Sequence, residues 1–304
     1  MSETWQEASS GARPAAGPRT ESRVARAPEA PLRIVGRRLN GLSVLCGGML
    51  VFCLLVVVGL VTADLFYLAS RDLPPADIWR LFTGRAVMRA MKLSLLTSLG
   101  TLALVVVTAI PAGYALSRFR FPGRALANAL VDVPIFLPPV VVGVSLLAFF
   151  GFGLGSSVKQ ALAGLGISLV SWIGIIMCQY VMTMSYGIRS IKAAFDAAPR
   201  DLEQVACTLG CSPWQAFWRV SLPLARPGVI AGCILVWARG IGVFGPLMVF
   251  VGTGPRVQVM PTMMWLELSV GNIGVSLAIA VIMLALAGTG LTVVHFLLGD
   301  RSLF

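Results

Sequence analysis

Two ionisable side chains stand inside long apolar runs of this 304-residue chain, Arg239 in ILVWARGIGVFG and Asp132 in ALVDVPIFLPP. At that depth in a bilayer a charge costs about 2.5 to 3.5 kcal/mol on insertion scales, so each must face a partner or water. The chemistry open to them is electrostatic: bracing a buried ion pair, or lining a path for a charged solute. Arg239 lies about a dozen residues from either end of its run, too deep to snorkel. Asp132 is nearer an end, and Asp64 reads as interfacial.

Covalent and redox chemistry are poorly supplied. Ser156, Ser157 and His295 are the ingredients of an intramembrane serine protease, but G-x-S-x-G is absent and the serines follow the Gly-rich end of a run. His295, the only histidine, reads as a satisfied residue near the end of the last run. Cys46, Cys53, Cys178 and Cys233 fall in apolar runs, while Cys207 and Cys211 fall in a polar insert without a second metal-binding pair. Gly240, Gly242 and Gly245 spell the G-x-G-x-x-G of a dinucleotide site, but within an apolar run and after no strand. They read as points of close helix approach or of a bend. No G-x-x-x-x-G-K-[ST] occurs, so any coupled nucleotide hydrolysis belongs to another polypeptide and this chain carries no cofactor of its own.

The elements that must position these residues follow from composition. With 57% hydrophobic and 12% charged residues, the chain has too few charges to coat a soluble globule of its size. The expectation is an all-α integral membrane protein. Runs able to cross the roughly 30 Å hydrocarbon core, about 20 residues each, occur near 43–68, 93–116, 126–152, 168–188, 228–251 and 273–298, which predicts about six transmembrane helices. Pro134, Pro138 and Pro139 interrupt the third run, and such prolines are tolerated where a cavity or a neighbouring helix satisfies the freed carbonyls.

Lys and Arg set the orientation. With both termini inside, the inner segments hold sixteen basic residues against seven outside, which favours that arrangement. Residues 1–41, rich in Ala, Arg, Pro and Ser, read as a disordered basic cytoplasmic tail, and 42–304 as the transmembrane domain. The first run is too long for a signal-peptide core and reads as an uncleaved anchor. LPPADIWRLFTGRAVMRAMK, ending at Lys92, suggests an amphipathic stretch lying on the outer surface. The net charge of +11 serves topology and attraction to anionic lipid; nucleic acid is not implied, because the basic residues flank spans.

The same orientation places a capped polar insert, DLEQVACTLGCSPWQAFWRVSLPLARPGVIAG from Asp201 to Gly232, on the cytoplasmic side. Asp201 and Gln204 have capping-box spacing, and Gly210 can end a first helix in the left-handed conformation. Ser212 then caps a second helix that Pro213 opens. Pro223 and Pro227 are expected to break the chain before the next run. Ala206 and Gly210, four apart, can leave a small-residue notch on one helical face.

This spacing resembles the EAA loop of ABC importer permeases, here spanning about 190–227. Gln204, Val205 and Ala206 occupy the Glu-Ala-Ala positions, Gly210 the glycine, and Val220, Leu222 and Pro223 the end of the pattern. Phe136–Gly151 and Trp237–Gly252 look like the third- and fifth-helix segments of molybdate, tungstate and sulfate permeases. The resemblance covers residues from about 90 to 298. It implies a type I ABC importer permease fold with a cytoplasmic helix-turn-helix coupling insert, in a bacterial or archaeal cytoplasmic membrane. The partners implied are ATPase subunits that bind ATP and Mg, a second permease subunit, and an extracytoplasmic substrate-binding protein. Asp201, Glu203, Gln204, Val205, Ala206, Gly210, Val220, Leu222 and Pro223 would engage the ATPase; Asp132, Pro138, Pro139, Arg239 and Gly242 would line the pathway. The cargo implied is an oxyanion, with polyamine, iron or thiamine permeases of the same class as alternatives. An ion-coupled secondary transporter would instead show internal repeats and more intramembrane acids, and neither is evident.

Overall fold

The computed structural model describes residues 41–70, 84–164, 166 and 168–298. Residues 1–40 of the expected tail lie outside this set. Chain contacts separate two units, Met1–Val57 and Val58–Phe304. In the first, the described residues are the opening half of α1 (Gly41–Ser70), apolar on every face as lipid requires.

The second unit is built on α2 (Arg85–Arg118), a 34-residue helix roughly 51 Å long at 1.5 Å per residue. It packs against α6 (Trp172–Ala197) and α9 (Leu222–Ile241), which also pack on each other. Lipid tails are as apolar as leucine, so close backbone approach and interhelical hydrogen bonds must hold such helices together. Both are present. Thr101 donates to Gln179 across α2 and α6 at 2.9 Å, fully buried, and Tyr180 donates to Thr108 at 3.2 Å. At Gly187 a Cβ would lie 2.5 Å from Val105 Cγ1 and 3.1 Å from Val236 Cγ2, so α2 and α9 close over a position that admits no side chain.

The apolar core of this crossing is Val105, Ala109, Ile188, Ile191, Phe195, Val229 and Val236. A second core joins α4 (Pro139–Gly151), α6 and α10 (Gly245–Phe250) through Val142, Cys178, Met182 and Leu247. A third joins α2, α11 (Met260–Ser269) and α12 (Ile273–Leu298) through Ala90, Met260, Met263 and Ile279. The amide of Met260 donates to the Ser94 hydroxyl at 2.8 Å, pinning the start of α11 to α2.

Several expected spans are revised. The run at 126–152 is two helices, α3 (Arg124–Phe136) and α4, bent by 111° at Leu137–Pro138. Pro138 and Pro139 withhold two consecutive backbone donors there, and the chain turns instead of crossing straight. The run at 168–188 becomes α6, which Ser171 caps by accepting from Ile173 N–H at 3.3 Å. It continues to Ala197, and its polar Gln179, Thr183, Arg189 and Lys192 leave it short of a span's apolarity. Among the described residues, four helices are long and apolar enough to cross, or five with the bent pair, against the six expected. Residues 85–92 are the first turns of α2 and not part of a separate surface helix; residues 71–83 lie outside the described set. α5 (Gly153–Gly164) follows α4 after a kink.

The break expected at Pro223 and Pro227 is absent. α8 (Pro213–Ala216) runs through a π turn, Phe217–Ser221, into α9, giving one continuous 29-residue rod, Pro213–Ile241. A proline ring collides with the carbonyl four residues back, here that of Arg219. The π turn widens the helix where Leu222 N–H bonds back to Phe217, five residues away, and so makes room for Pro223.

Candidate functional site

The polar insert begins at α7 (Arg200–Thr208). Its N-cap is Pro199 without a side-chain hydrogen bond, so the capping box expected at Asp201 and Gln204 is replaced by a start two residues earlier. Asp201 and Glu203 then sit in the first turn, where negative charge complements the helix dipole. At the other end Cys211 N–H bonds to Ala206 C=O and Gly210 N–H to Cys207 C=O, both at 3.0 Å. With Gly210 at φ +92° this is a Schellman turn. Gly210 therefore lies beyond the helix, not on one face with Ala206, and the expected notch does not form. Its requirement is backbone conformation: a Cβ at 210 would meet nothing within 4 Å. Exchange of Gly210 for valine should cost about 1 to 2 kcal/mol through the left-handed backbone alone. Amide exchange across residues 206–213 would detect it as lost protection of Gly210 and Cys211.

Ser212 accepts from Gln215 N–H at 3.3 Å while Gln215 Oε1 accepts from Ser212 N–H at 3.0 Å, closing a capping box on α8. Of the other expected insert residues, Asp201, Gln204, Val205 and Pro223 are exposed and Ala206, Val220 and Leu222 half-buried. Leu202, Val205, Leu209 and Trp214 add exposed apolar surface beside them.

Glu203 turns inward. Its carboxylate receives Arg118 Nε at 2.8 Å, the Ser221 hydroxyl at 2.5 Å and the Tyr114 hydroxyl at 3.5 Å. Arg118, 6% exposed in its side chain, also donates to Ala198 C=O at 3.0 Å. Beside it Ser117 and Lys192 each donate to Asp196 at 2.6 Å, and Arg200 donates to Ser117 C=O at 2.5 Å. Burial pushes the Asp196 carboxyl up, but the hydrogen bonds from Lys192 and Ser117 and the charges of Lys192 and Arg200 outweigh it and hold it below the ordinary carboxylate range. Asp196 thus stays charged at neutral pH, and its contacts with Lys192 and Ser117 weaken only as pH falls through that lowered value. Arg118 and Ser221 were invisible as partners in the sequence, because 85 and 18 residues separate them from Glu203.

The expected pathway residues divide. Pro139, Arg239 and Gly242 line one cavity of about 500 Å³ with Val140, Met182 and Phe244. Pro138 is the N-cap of α4 at its edge. The cavity exists because the run 228–251 breaks at Gly242–Phe244, between α9 and α10, where the three glycines suggested a bend. α10 then presses on α4 so closely that a Cβ at Gly143 would lie 2.9 Å from Val249 Cβ and 3.0 Å from Pro246 backbone. The Arg239 guanidinium stands 4.2 Å over the Tyr186 ring. Among the described residues no carboxylate pairs with it.

Asp132 is elsewhere. It is paired with Arg189 through two hydrogen bonds, in a polar cavity of about 410 Å³ that Arg124, Asn128, Lys192 and Asp196 also line. The Ser156 hydroxyl is engaged by Gly153 C=O at 2.6 Å, and the His295 side chain is outside the described set. All six cysteines are free.

Half-helices that meet end to end around a cavity inside an apolar bundle are the architecture of a solute permease. The chain belongs to the family described as binding-protein-dependent transport system inner membrane component, whose model matches residues 105–302. It is 33% identical over 218 residues to the molybdate/tungstate transport system permease protein WtpB of Thermococcus kodakarensis, covering 71% of this chain and 81% of the relative. To the molybdenum transport system permease protein ModB of Escherichia coli it is 35% identical over 178 residues, 57% of this chain and 77% of that one. To the sulfate transport system permease protein CysT of Escherichia coli it is 29% identical, covering 82% and 89%. Its fold is similar to a bacterial alginate ABC transporter solved in complex with an alginate pentasaccharide-bound periplasmic protein, with TM-score 0.66, 18% identity and coverage of 83% of this chain and 92% of that one.

Proposed function

We propose that this ABC importer permease subunit forms the membrane pathway for a tetrahedral oxyanion of the molybdate, tungstate and sulfate type. Arg239 carries the reading: a cation without a carboxylate partner among the described residues, facing a cavity at which the N-terminus of α4 also begins. A helix N-terminus and a guanidinium both favour a passing anion, and neither encloses it. The names of the relatives with 29 to 35% identity support the same cargo.

The insert and both termini are cytoplasmic in this reading, as the distribution of basic residues favours. Exposed Asp201, Gln204, Val205 and Leu209 meet a separate ATPase that holds ATP and Mg, while Glu203 fastens α7 to α2. A second permease subunit completes the pathway and a binding protein delivers the cargo. Force on the insert is carried by the rod from Pro213 to Ile241, roughly 43 Å at helical rise. That rod ends two residues beyond Arg239, at the cavity.

The test is ATP-driven molybdate uptake into proteoliposomes holding the permease, its ATPase and its binding protein. Exchange of Arg239 for glutamine is expected to lower uptake about tenfold, equivalent to roughly 1.4 kcal/mol on the rate-limiting barrier, with the assembly intact. Uptake of a polyamine in place of an oxyanion, or an undiminished R239Q, would overturn the assignment.

A further inference from the structure

An apolar cavity of about 610 Å³ lies outside both sites, between the end of α2 and the start of the rod. Val106, Ile110 and Pro111 form its floor on α2, and Tyr114, Trp214 and Trp218 its upper wall. Its volume is in the range of sites for small organic ligands. Trp214 and Trp218 are 69% and 52% exposed, a large apolar surface with no cover from the described residues.

The depth of the cavity restricts its occupant. α2 is about 20 Å longer than the hydrocarbon core is thick. With Arg85, Arg89 and Lys92 in one headgroup layer and Arg118 in the other, Val106 to Pro111 lie within hydrocarbon and Tyr114, Trp214 and Trp218 at the interface. Aromatic side chains are enriched at that level. Arg120 and Arg219 follow the lining residues Phe119 and Trp218 directly in the chain; both are exposed. Neither has an ion pair or hydrogen bond among the described residues. An apolar floor beneath an interfacial aromatic wall, with two exposed and unpaired cations next in sequence to its lining residues, is complementary to an acyl chain beneath an anionic headgroup.

We propose that this groove binds an anionic glycerophospholipid from the leaflet on the insert's side, its acyl chain along Val106, Ile110 and Pro111 and its phosphate at Arg120 and Arg219. A soluble partner cannot reach the floor at hydrocarbon depth. A second copy of this chain, net charge +11, offers the arginines little negative charge. Occupancy bears on the insert, because Tyr114 joins the groove to Glu203 and Trp214 belongs to the first turn of the rod.

The full chain in phosphatidylcholine nanodiscs is titrated with a minor fraction of phosphatidylglycerol or phosphatidylcholine carrying brominated acyl chains, which quench nearby indoles. The difference in emission between the wild type and W214F/W218F isolates the groove. Brominated phosphatidylglycerol is expected to quench it with an apparent affinity about fivefold higher per arginine than brominated phosphatidylcholine, and R120Q/R219Q is expected to remove the preference. These exposed arginine exchanges leave the packing untouched, so loss of preference reports the two arginines themselves. Equal quenching by both lipids means ordinary boundary lipid and overturns the proposal. Absence of quenching means that protein covers the groove, and overturns it as well. No transport is measured, so failure here leaves the oxyanion reading standing, and the reverse.

Discussion

Exchange of Glu203 for alanine is expected to release the insert from the membrane domain and to cost about 3 kcal/mol of stability. Glu203 and Arg118 are 16% and 6% exposed in their side chains, so removal of the carboxylate leaves a buried guanidinium without its counter-charge. Breaking one side of a buried pair costs about 3 to 5 kcal/mol; the lower end applies because Arg118 keeps Ala198 C=O. Little else holds α7, which has no fully buried residue and packs chiefly on α8 and the π turn. The loss should therefore be local before it is global. Hydrogen exchange is the decisive measurement: protection of residues 200–216 falls in E203A while α2 and α6 stay protected. Removal of both charges in an E203L/R118M double variant should recover part of the loss, since an apolar pair of similar volume leaves no buried charge unpaired, although Ser221, Tyr114 and Ala198 C=O still lose a partner. If E203A exchanges like the wild type, the ion pair is not what holds the insert.

Gly187 carries the second large effect. Exchange of a helix-interior glycine for alanine ordinarily stabilises by roughly 0.5 to 1 kcal/mol. At Gly187 the sign should reverse, because the new Cβ meets Val105 Cγ1 at 2.5 Å and Val236 Cγ2 at 3.1 Å. Both valines are 1% exposed and have stiff χ1 angles, so neither can move aside cheaply. Overpacking costs about 1 to 3 kcal/mol for such an intrusion, and Gly187→Leu should exceed that and separate α2 from α9. Thermal unfolding in detergent gives the comparison. G187A should melt below the wild type and G59A, where nothing lies within 4 Å of the added Cβ, at or above it. A G187A protein as stable as G59A would show that the three helices part readily at this crossing.

These two positions mark what the sequence could and could not reveal. Glu203 was legible as an acidic residue in a capped insert, and its exposed neighbours as a surface offered outward. That it faces inward was not legible, because Arg118 looked like one more basic residue at the end of a span. The π turn was likewise hidden. Pro223 and Pro227 carry a local signal that says break, and only the five-residue hydrogen bond from Leu222 to Phe217 explains why the helix survives. Asp132 and Arg239 looked alike in sequence, each a charge in an apolar run. The fold gives Asp132 a partner in Arg189 and Arg239 the face of Tyr186 and a cavity.

Composition and the length of the apolar runs determined by themselves that this is a helical membrane protein, since the hydrophobic effect acts on residue type before any contact forms. The local spacing of Gly210, Ser212 and Pro213 determined the turn between two short helices, since caps are interactions of near neighbours. The tertiary structure decided the rest: which helices bend instead of crossing, which charges pair, and that a continuous rod joins the insert to the cavity of Arg239. Those outcomes depend on contacts between residues dozens of positions apart, which appear only once the helices have packed.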